Sequence, residues 1–432
     1  MDVCTETEDN RWTDIRQFTD NSSSFAHPAF EPGADNFKAI QQCRVLVVGA
    51  GGLGCEILKN LALSGFQNID VIDMDTIDLS NLNRQFLFRE SDVGTSKAEV
   101  AANFINRRVK GCKVIPHNCK IQDKGLDFYR QFSMVICGLD SIVARRWLNA
   151  ALCNLVAFEE GGEIDQDTII PLIDGGTEGF KGNARVVFPH YSPCIECTLD
   201  LYPPQVNFPL CTIAHTPRLP EHCVEYVKVI LWEKESPFKE QLDGDNPHHV
   251  DWVLNEALKR AANYGIQGVN LRLTQGVLKR IIPAVATTNA IIAGSCALEA
   301  LKLASNISCS LNNYLNFTNV HEIFYGVVKL EKNPECIVCS RSAITFYSRP
   351  EWTLETFMEK LTEKYQLRNP TLKSSTKYLY MINNLLPELV DISRNNLSKS
   401  LAELGLADGD ELLISDESLH EPITLRLNFT DD

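Results

Sequence analysis

The stretch that most constrains this chain runs from residue 44 to residue 54. Arg44, Val45, Leu46, Val47 and Val48 form a short, mostly apolar run that stops at Gly49. Gly49, Gly51, Gly52 and Gly54 follow, and apolar residues then recur at helical spacing through residue 63. Residues 68–72 read as a second strand ending on Asp73. Strand, glycine turn, helix and strand open a doubly wound, mostly parallel α/β sheet of Rossmann type. The glycines let backbone N–H groups approach a phosphate, and the helix N-terminus adds partial positive charge. Asp73 sits where an acidic side chain can hold ribose hydroxyls. This much fits NAD, FAD or ATP equally, or a glycine turn with no ligand.

The residues that follow narrow the choice. Asp73 and Asp75 lead into Asn81, Arg84 and Gln85, and then Lys97. Hydride transfer has no need of a cationic pair there. Arg and Lys suit a triphosphate whose leaving oxygens gather charge. Asp140, at the C-terminal end of a strand read over residues 133–137, stands at the crevice edge where a Mg²⁺ ligand belongs.

The rest of the chain sorts into sections. Residues 1–42 are polar and read as an arm with a few short turns. Helices are expected over 97–109 and 142–158, and strands over 113–116, 169–173 and 184–188, the last two around a glycine-rich turn at 175–182. Between residues 203 and 270 the apolar pattern weakens into helical pieces and acidic loops, as an insertion into the sheet domain would. The apolar run 281–304 contains Pro283, Asn289, Glu299 and Lys302, so it reads as a buried helix and not a membrane span. From residue 347 a small α+β module is expected: a helix at 354–365, strands at 378–382, 405–414 (after a turn) and 423–429, and a short helix at 397–404.

The chain has 432 residues, room for two or three domains, with ordinary apolar (44%) and charged (22%) fractions. Its 56 acidic against 41 basic residues give a net charge of −15, which disfavours a nucleic-acid surface and suits a basic protein partner. No signal-peptide pattern opens it, and 15 cysteines without one point to a reducing compartment. The expected location is the cytoplasm, with the nucleus open as well.

Two C-x-x-C pairs stand out: Cys194 with Cys197, and Cys336 with Cys339. Each can give two thiolates to one tetrahedral Zn²⁺, and four thiolates leave no open position, so a structural ion is expected. Two further cysteines are candidate nucleophiles. Cys223 adjoins His222 but starts an amphipathic run in which a cysteine often only packs. Cys211 follows Pro209 and precedes Thr212, in a turn where nearby N–H groups can lower a thiol pKa.

Residues 49–54, 73–75, 81–85, 97 and 138–140 together resemble the adenylation site of the ubiquitin-activating enzyme family and its bacterial sulfur-carrier relatives. The resemblance covers most of residues 44–188. It implies that Asp73 holds ribose, that Gly49, Gly51, Gly52, Gly54, Asp75, Asn81, Arg84, Gln85 and Lys97 surround ATP, and that Asp140 binds Mg²⁺. It also implies that Cys194, Cys197, Cys336 and Cys339 hold structural zinc. A Cys-Thr pair after a proline-rich lead matches the family's thioester cysteine, which selects Cys211. The implied domain plan is an arm at 1–42, an adenylation domain at 43–206 and 286–346, a catalytic-cysteine insertion at 207–285 and a ubiquitin-fold domain at 347–432 that recruits a conjugating enzyme.

Residues 175–185, 202–211, 217–223 and 273–286 are most similar to the branch of that family handling Nedd/Rub-type modifiers. There, an arginine matching Arg185 lies beside the carboxylate channel and repels the arginine of ubiquitin's tail, a repulsive route to specificity. The segment from Arg11 to Gln17 matches poorly an arginine-bearing motif of the family. A regulatory partner subunit supplies that arginine in heterodimeric members, so an obligate heterodimer is implied. Three other readings stand beside this one: a subunit for another modifier such as SUMO, a dinucleotide-dependent oxidoreductase, and a non-catalytic scaffold subunit.

Overall fold

The computed structural model describes residues 10–430 apart from 25, 160, 203–216, 236, 241, 244–245, 280–283, 312–313, 341–343, 375–376, 382–392 and 394. Strands β1 (Arg44–Val48), β2 (Asn68–Ile72), β3 (Lys113–His117), β4 (Met134–Cys137), β5 (Leu172–Glu178), β6 (Lys181–Val187), β7 (Tyr314–Thr318) and β8 (Phe324–Val328) form one sheet in the order β3-β2-β1-β4-β5-β6-β7-β8. The pairings from β3 to β5 are parallel and those from β5 to β8 antiparallel.

Both faces of β1 are buried, which is why it reads as a continuous apolar run. Val45 and Val47 pack with the helices Gly52–Leu63, Lys97–Arg108 and Ala286–Ser305. Leu46 and Val48 pack on the other face, against the helix Ile142–Asn154. The chain order reverses on either side of β1, so the crevice outside the ends of β1 and β4 is the switch point where α/β sheets bind ligands.

Four expectations change. Residues 10–42 hold two helices, Thr13–Thr19 and Ala34–Gln42, and bury Trp12, Phe37 and Ile40 in the sheet core. Gly175 and Gly176 are not in a turn: they lie inside β5, opposite Ala184 and Asn183. The small size of Gly175 admits Ile292 and Cys296 of the helix Ala286–Ser305, since a Cβ there would lie 2.8 Å from the Cys296 thiol. The helix expected over 142–158 ends at Asn154. Residues 397–404 form turns pinned by backbone bonds to Pro350 and Trp352, not a helix.

The C-terminal module is a five-stranded sheet, β11-β10-β12-β13-β9, made of β9 (Ile344–Ser348), β10 (Thr371–Ser374), β11 (Tyr378–Tyr380), β12 (Glu411–Ser415) and β13 (Ile423–Phe429). β9 and β13 run parallel, and the helix Leu354–Tyr365 buries Leu354, Phe357, Met358 and Leu361 against them. This is a ubiquitin-like α+β arrangement.

Residues Pro204–Pro283 make a second compact unit. Its described part is helical, with the helices Pro220–Tyr226, Pro247–Asn263 and Leu271–Lys279 around Cys223, Val227, Trp232 and Val253. Among the described residues no helix is long and apolar enough to cross a membrane.

Candidate active site and metal centre

Gly49 ends β1 with φ of 96°, a left-handed conformation that favours glycine, and a Cβ there would meet the Gly138 carbonyl oxygen at 2.9 Å. A Cβ on Gly54 would lie 1.9 Å from the Gly49 oxygen, so the helix can begin this close to the strand only with glycine. Gly51 precedes the first helical residue, Gly52, leaving the first-turn N–H groups facing the crevice.

Asp73 is built into this loop. Its Oδ2 accepts the Ala50 N–H at 2.6 Å and its Oδ1 the Asp75 N–H at 2.8 Å. Burial pushes its carboxyl above the ordinary aspartate value, and the two N–H donors oppose that shift. Lys97 opens the helix Lys97–Arg108, capped by Ser96, and its Nζ lies 2.8 Å from Asp75 Oδ2. The lysine side chain is buried and the Asp75 carboxylate half exposed, so a phosphate can displace the carboxylate at little cost.

Gln85 is buried, and its Oε1 has no hydrogen-bond partner. An orphaned polar atom beside the glycine loop fits a bound polar ligand. Asn81 also shapes the turn, its Oδ1 accepting the Asp78 N–H at 3.0 Å. Arg84 donates through Nη1 to the Ser80 carbonyl at 2.9 Å and to Asn83 Oδ1 at 3.0 Å, and its guanidinium carries further N–H donors on Nε and Nη2. Asp140 is exposed just beyond β4, with Ser141 capping the next helix through the Ala144 N–H. An exposed carboxylate at the crevice rim has the hard oxygen donors Mg²⁺ takes.

Arg185, expected beside the carboxylate channel, is a buried residue. It stands opposite Asp174 across β5 and β6, with a guanidinium only 2% exposed. Its Nε lies 3.5 Å from Asp174 Oδ2, its Nη1 donates to Thr198 at 2.8 Å, and its Nη2 donates to the Tyr202 hydroxyl. Arg145 reaches the same carboxylate. The two arginines thus share one buried aspartate.

Asn289 escaped sequence reading. Its Oδ1 accepts the Thr177 hydroxyl at 2.7 Å, and its amide nitrogen would lie 2.3 Å from a Cβ on Gly52. No pattern local to residue 289 signals that it lies against the glycine loop.

The two C-x-x-C pairs do converge. The four thiols lie within 4.8 Å of one another. Sulfur separations are 3.8 Å for Cys194–Cys197, 3.6 Å for Cys194–Cys336 and 3.4 Å for Cys197–Cys339. A tetrahedral Zn²⁺ with Zn–S bonds of about 2.3 Å sets its sulfurs ~3.8 Å apart, so the cluster fits that ion. Burial drives the Cys194 thiol well up, while hydrogen bonds from its neighbours hold Cys197 far below the thiol range. Such a set becomes uniformly ionised only around a cation.

Cys211 lies outside the described residues. Cys223 is described, and it is a core residue: fully buried in the helix Pro220–Tyr226, with burial raising its pKa. His222 Nδ1 accepts the Arg218 N–H at 3.1 Å. The buried, raised thiol is unsuited to nucleophilic attack.

Residues 25–338 match the ThiF family and residues 348–429 match the E2 binding domain. The chain is 60% identical over 418 residues to a NEDD8-activating enzyme E1 catalytic subunit of Caenorhabditis elegans, covering 96% of this chain and 97% of that protein. It is 50% identical over 432 residues to the protein of that name from Drosophila melanogaster, covering 98% and 96%. A SUMO-activating enzyme subunit 2 of Dictyostelium discoideum is 39% identical over only 232 residues, 53% of this chain and 33% of that protein. The chain belongs to the ThiF family and, within it, to the NEDD8-activating enzyme E1 catalytic subunits.

Proposed function

We propose that this chain uses ATP to activate the C-terminal carboxylate of a Nedd/Rub-type modifier, holds it as a thioester on Cys211 and passes it to a conjugating enzyme. The observation that carries this reading is the gathering of Gly49, Asp73, Asp75, Gln85 and Lys97 around one helix N-terminus at the switch point of the sheet. Full-length likeness to the nematode and fly subunits supports the choice of modifier over SUMO.

In the first step a modifier carboxylate oxygen attacks the α-phosphorus of ATP, and pyrophosphate leaves with the bridging oxygen. Asp73 orients the ribose. Loop N–H groups, Asn81 and Gln85 surround the phosphates. Arg84 and Lys97 offset the charge growing on pyrophosphate, Lys97 exchanging Asp75 for phosphate oxygens. Asp140 would hold Mg²⁺, which when bound neutralises phosphate charge. In the second step the Cys211 thiolate attacks the acyl carbonyl and AMP leaves. In the third, a conjugating-enzyme thiolate attacks the thioester, and Cys211 departs as thiolate.

The domain roles follow: arm 1–42, adenylation domain 43–206 with 286–346, catalytic-cysteine domain 207–285, and ubiquitin-fold domain 347–432. The four cysteines hold structural zinc. A regulatory partner subunit completes the enzyme. Supporting that, edge strand β8 exposes Phe324, Tyr325, Val327 and Val328, and Ile291 and Leu298 are exposed one turn either side of Ser295, which bonds Tyr325 at 2.8 Å. An uncovered apolar edge of this kind calls for a partner. The chain works in the cytoplasm or nucleus, where thiols stay reduced.

ATP:pyrophosphate exchange with purified modifier and partner subunit tests the reading. Asp140→Ala is expected to lower exchange by about 100-fold. Cys211→Ala should keep exchange and form no reducible thioester; a thioester on that variant sinks the assignment. Modifier selection by the buried Arg185 further requires Tyr202 to swing aside. It fails if ubiquitin stimulates exchange as well as the Nedd/Rub modifier does.

A further inference from the structure

The helix Ile142–Asn154 carries two adjacent buried arginines, and their charges are balanced differently. Arg146 faces one carboxylate, Glu196, with Nε to Oε2 at 2.9 Å. That pair is neutral. Arg145 faces Asp174, and so does Arg185 from β6. Two guanidinium groups thus meet one carboxylate, and Asp174 is fully buried.

The carboxylate is not shared evenly. Asp174 Oδ1 binds Arg145 Nη1 directly, and Oδ2 accepts the Tyr202 hydroxyl at 3.2 Å. Arg185 Nε lies 3.5 Å from Oδ2 and makes no hydrogen bond. The other Arg185 nitrogens donate to neutral groups, the Thr198 and Tyr202 hydroxyls. Burial first, then Asp174, pushes the Tyr202 hydroxyl up to about 12, so it stays protonated and adds no charge. Burial also pushes the Cys137 thiol beside Asp174 up to about 12. The cluster therefore holds one positive charge in excess, and the geometry leaves that charge on Arg185.

A surplus buried charge is costly, because neither water nor a partner ion offsets it. It also acts over several ångströms in a low-dielectric interior. An Arg185–Asp174 pair without Arg145 would be neutral and would repel a nearby cation weakly. We propose that Arg145 is a positioning residue for specificity: by taking up the Asp174 charge, it leaves Arg185 with the uncompensated positive charge that repels a modifier whose tail carries arginine. Arg145 acts through Asp174 and not on the tail itself. The inference rests on modifier selection by Arg185, as given under the proposed function, and names what makes that selection electrostatic.

The test uses the full chain with its partner subunit. ATP:pyrophosphate exchange is measured with ubiquitin and with ubiquitin whose tail arginine is changed to leucine. The ratio of the two kcat/KM values reads discrimination against the cation alone, so a general loss of activity cancels. Arg145→Met removes the charge and keeps much of the volume, and the ratio should rise about tenfold in favour of the arginine tail. Arg145→Lys keeps the charge and should stay within about twofold of wild type. Asp174→Asn enlarges the surplus and should lower the ratio below wild type. An unchanged ratio in Arg145→Met overturns the proposal. So does an equal shift in Arg145→Met and Arg145→Lys, which marks a merely structural role. A ratio at or above wild type in Asp174→Asn overturns it too, even if Arg145→Met does not fold. Two controls separate the premises. If Arg185→Leu leaves the ratio at the wild-type value, selection by Arg185 fails. If the Nedd/Rub modifier stimulates no exchange by wild type, the proposed function fails before either.

Discussion

The nucleotide crevice and the four-cysteine cluster serve the same sheet and are held by different kinds of contact. In the crevice, residues 49–54, 73–75, 81–85 and 97 meet through backbone bonds and short loops, such as Gly49 N–H to the Ile72 carbonyl at 2.9 Å. Its charged groups occupy provisional partners: Lys97 holds Asp75, and Arg84 holds the Ser80 carbonyl. Those partners are partly exposed and exchangeable, which is what a site that must admit and release a substrate requires. In the cluster, Cys194 and Cys336 meet across 142 residues of chain, and the four thiols face one another. Nothing there is poised to exchange. The first region stores chemistry at small cost to the fold. The second joins distant segments of the chain.

That contrast can be broken by measuring stability and activity separately. The largest effect is expected from the proposed zinc at the four-cysteine cluster. Structural zinc contributes about 10–16 kcal/mol in zinc-finger peptides, so its loss here should be severe. One zinc per chain is expected by elemental analysis. Chelation, or Cys336→Ser, should lower the melting temperature by more than about 10 °C. A metal-free chain that melts with the wild type would end the distinction. Lys97→Ala should do the reverse. Losing one charge-stabilising donor costs ~100-fold in exchange. Its melting temperature should move by no more than about 2 °C, because the ion pair it breaks is half exposed. A variant that loses more stability than activity would place Lys97 with the structural residues.

The same contrast explains what could be read in advance. β1, β2, the helix Leu354–Tyr365 and β13 fall where the apolar pattern puts them, because that pattern is local. The glycine loop and the paired cysteines were legible for the same reason: their chemistry is written in adjacent residues. Gly175 misled, because a glycine required by close helix packing looks like a glycine required by a turn. Trp12, Phe37 and Ile40 were missed because short polar helices carry too few apolar residues to show a period. Arg145, Arg146 and Arg185 were unreadable as buried groups, since nothing near them announces Asp174 or Glu196. The wide separation of the two C-x-x-C pairs was readable, but their convergence had to come from the fold.

Asn289 gives the smallest and most specific test of how the crevice is supported. It comes from the helix Ala286–Ser305, far along the chain from the loop, and so is a long-range support for a site built largely from local segments. A Cβ on Gly52 would meet its amide nitrogen at 2.3 Å. The amide cannot easily withdraw, because Asn289 is buried and its Oδ1 holds Thr177. Gly52→Ala should therefore displace the loop and weaken nucleotide binding, at about 1–3 kcal/mol for overpacking. Asn289→Ala alone removes the Thr177 bond at a cost of about 1 kcal/mol. Combined, the second change makes room for the first, so the double variant should bind ATP more tightly than Gly52→Ala alone. Titration with a fluorescent ATP analogue reads this directly. Strict additivity would mean that Asn289 does not shape the loop, and that the crevice owes its form to local contacts alone.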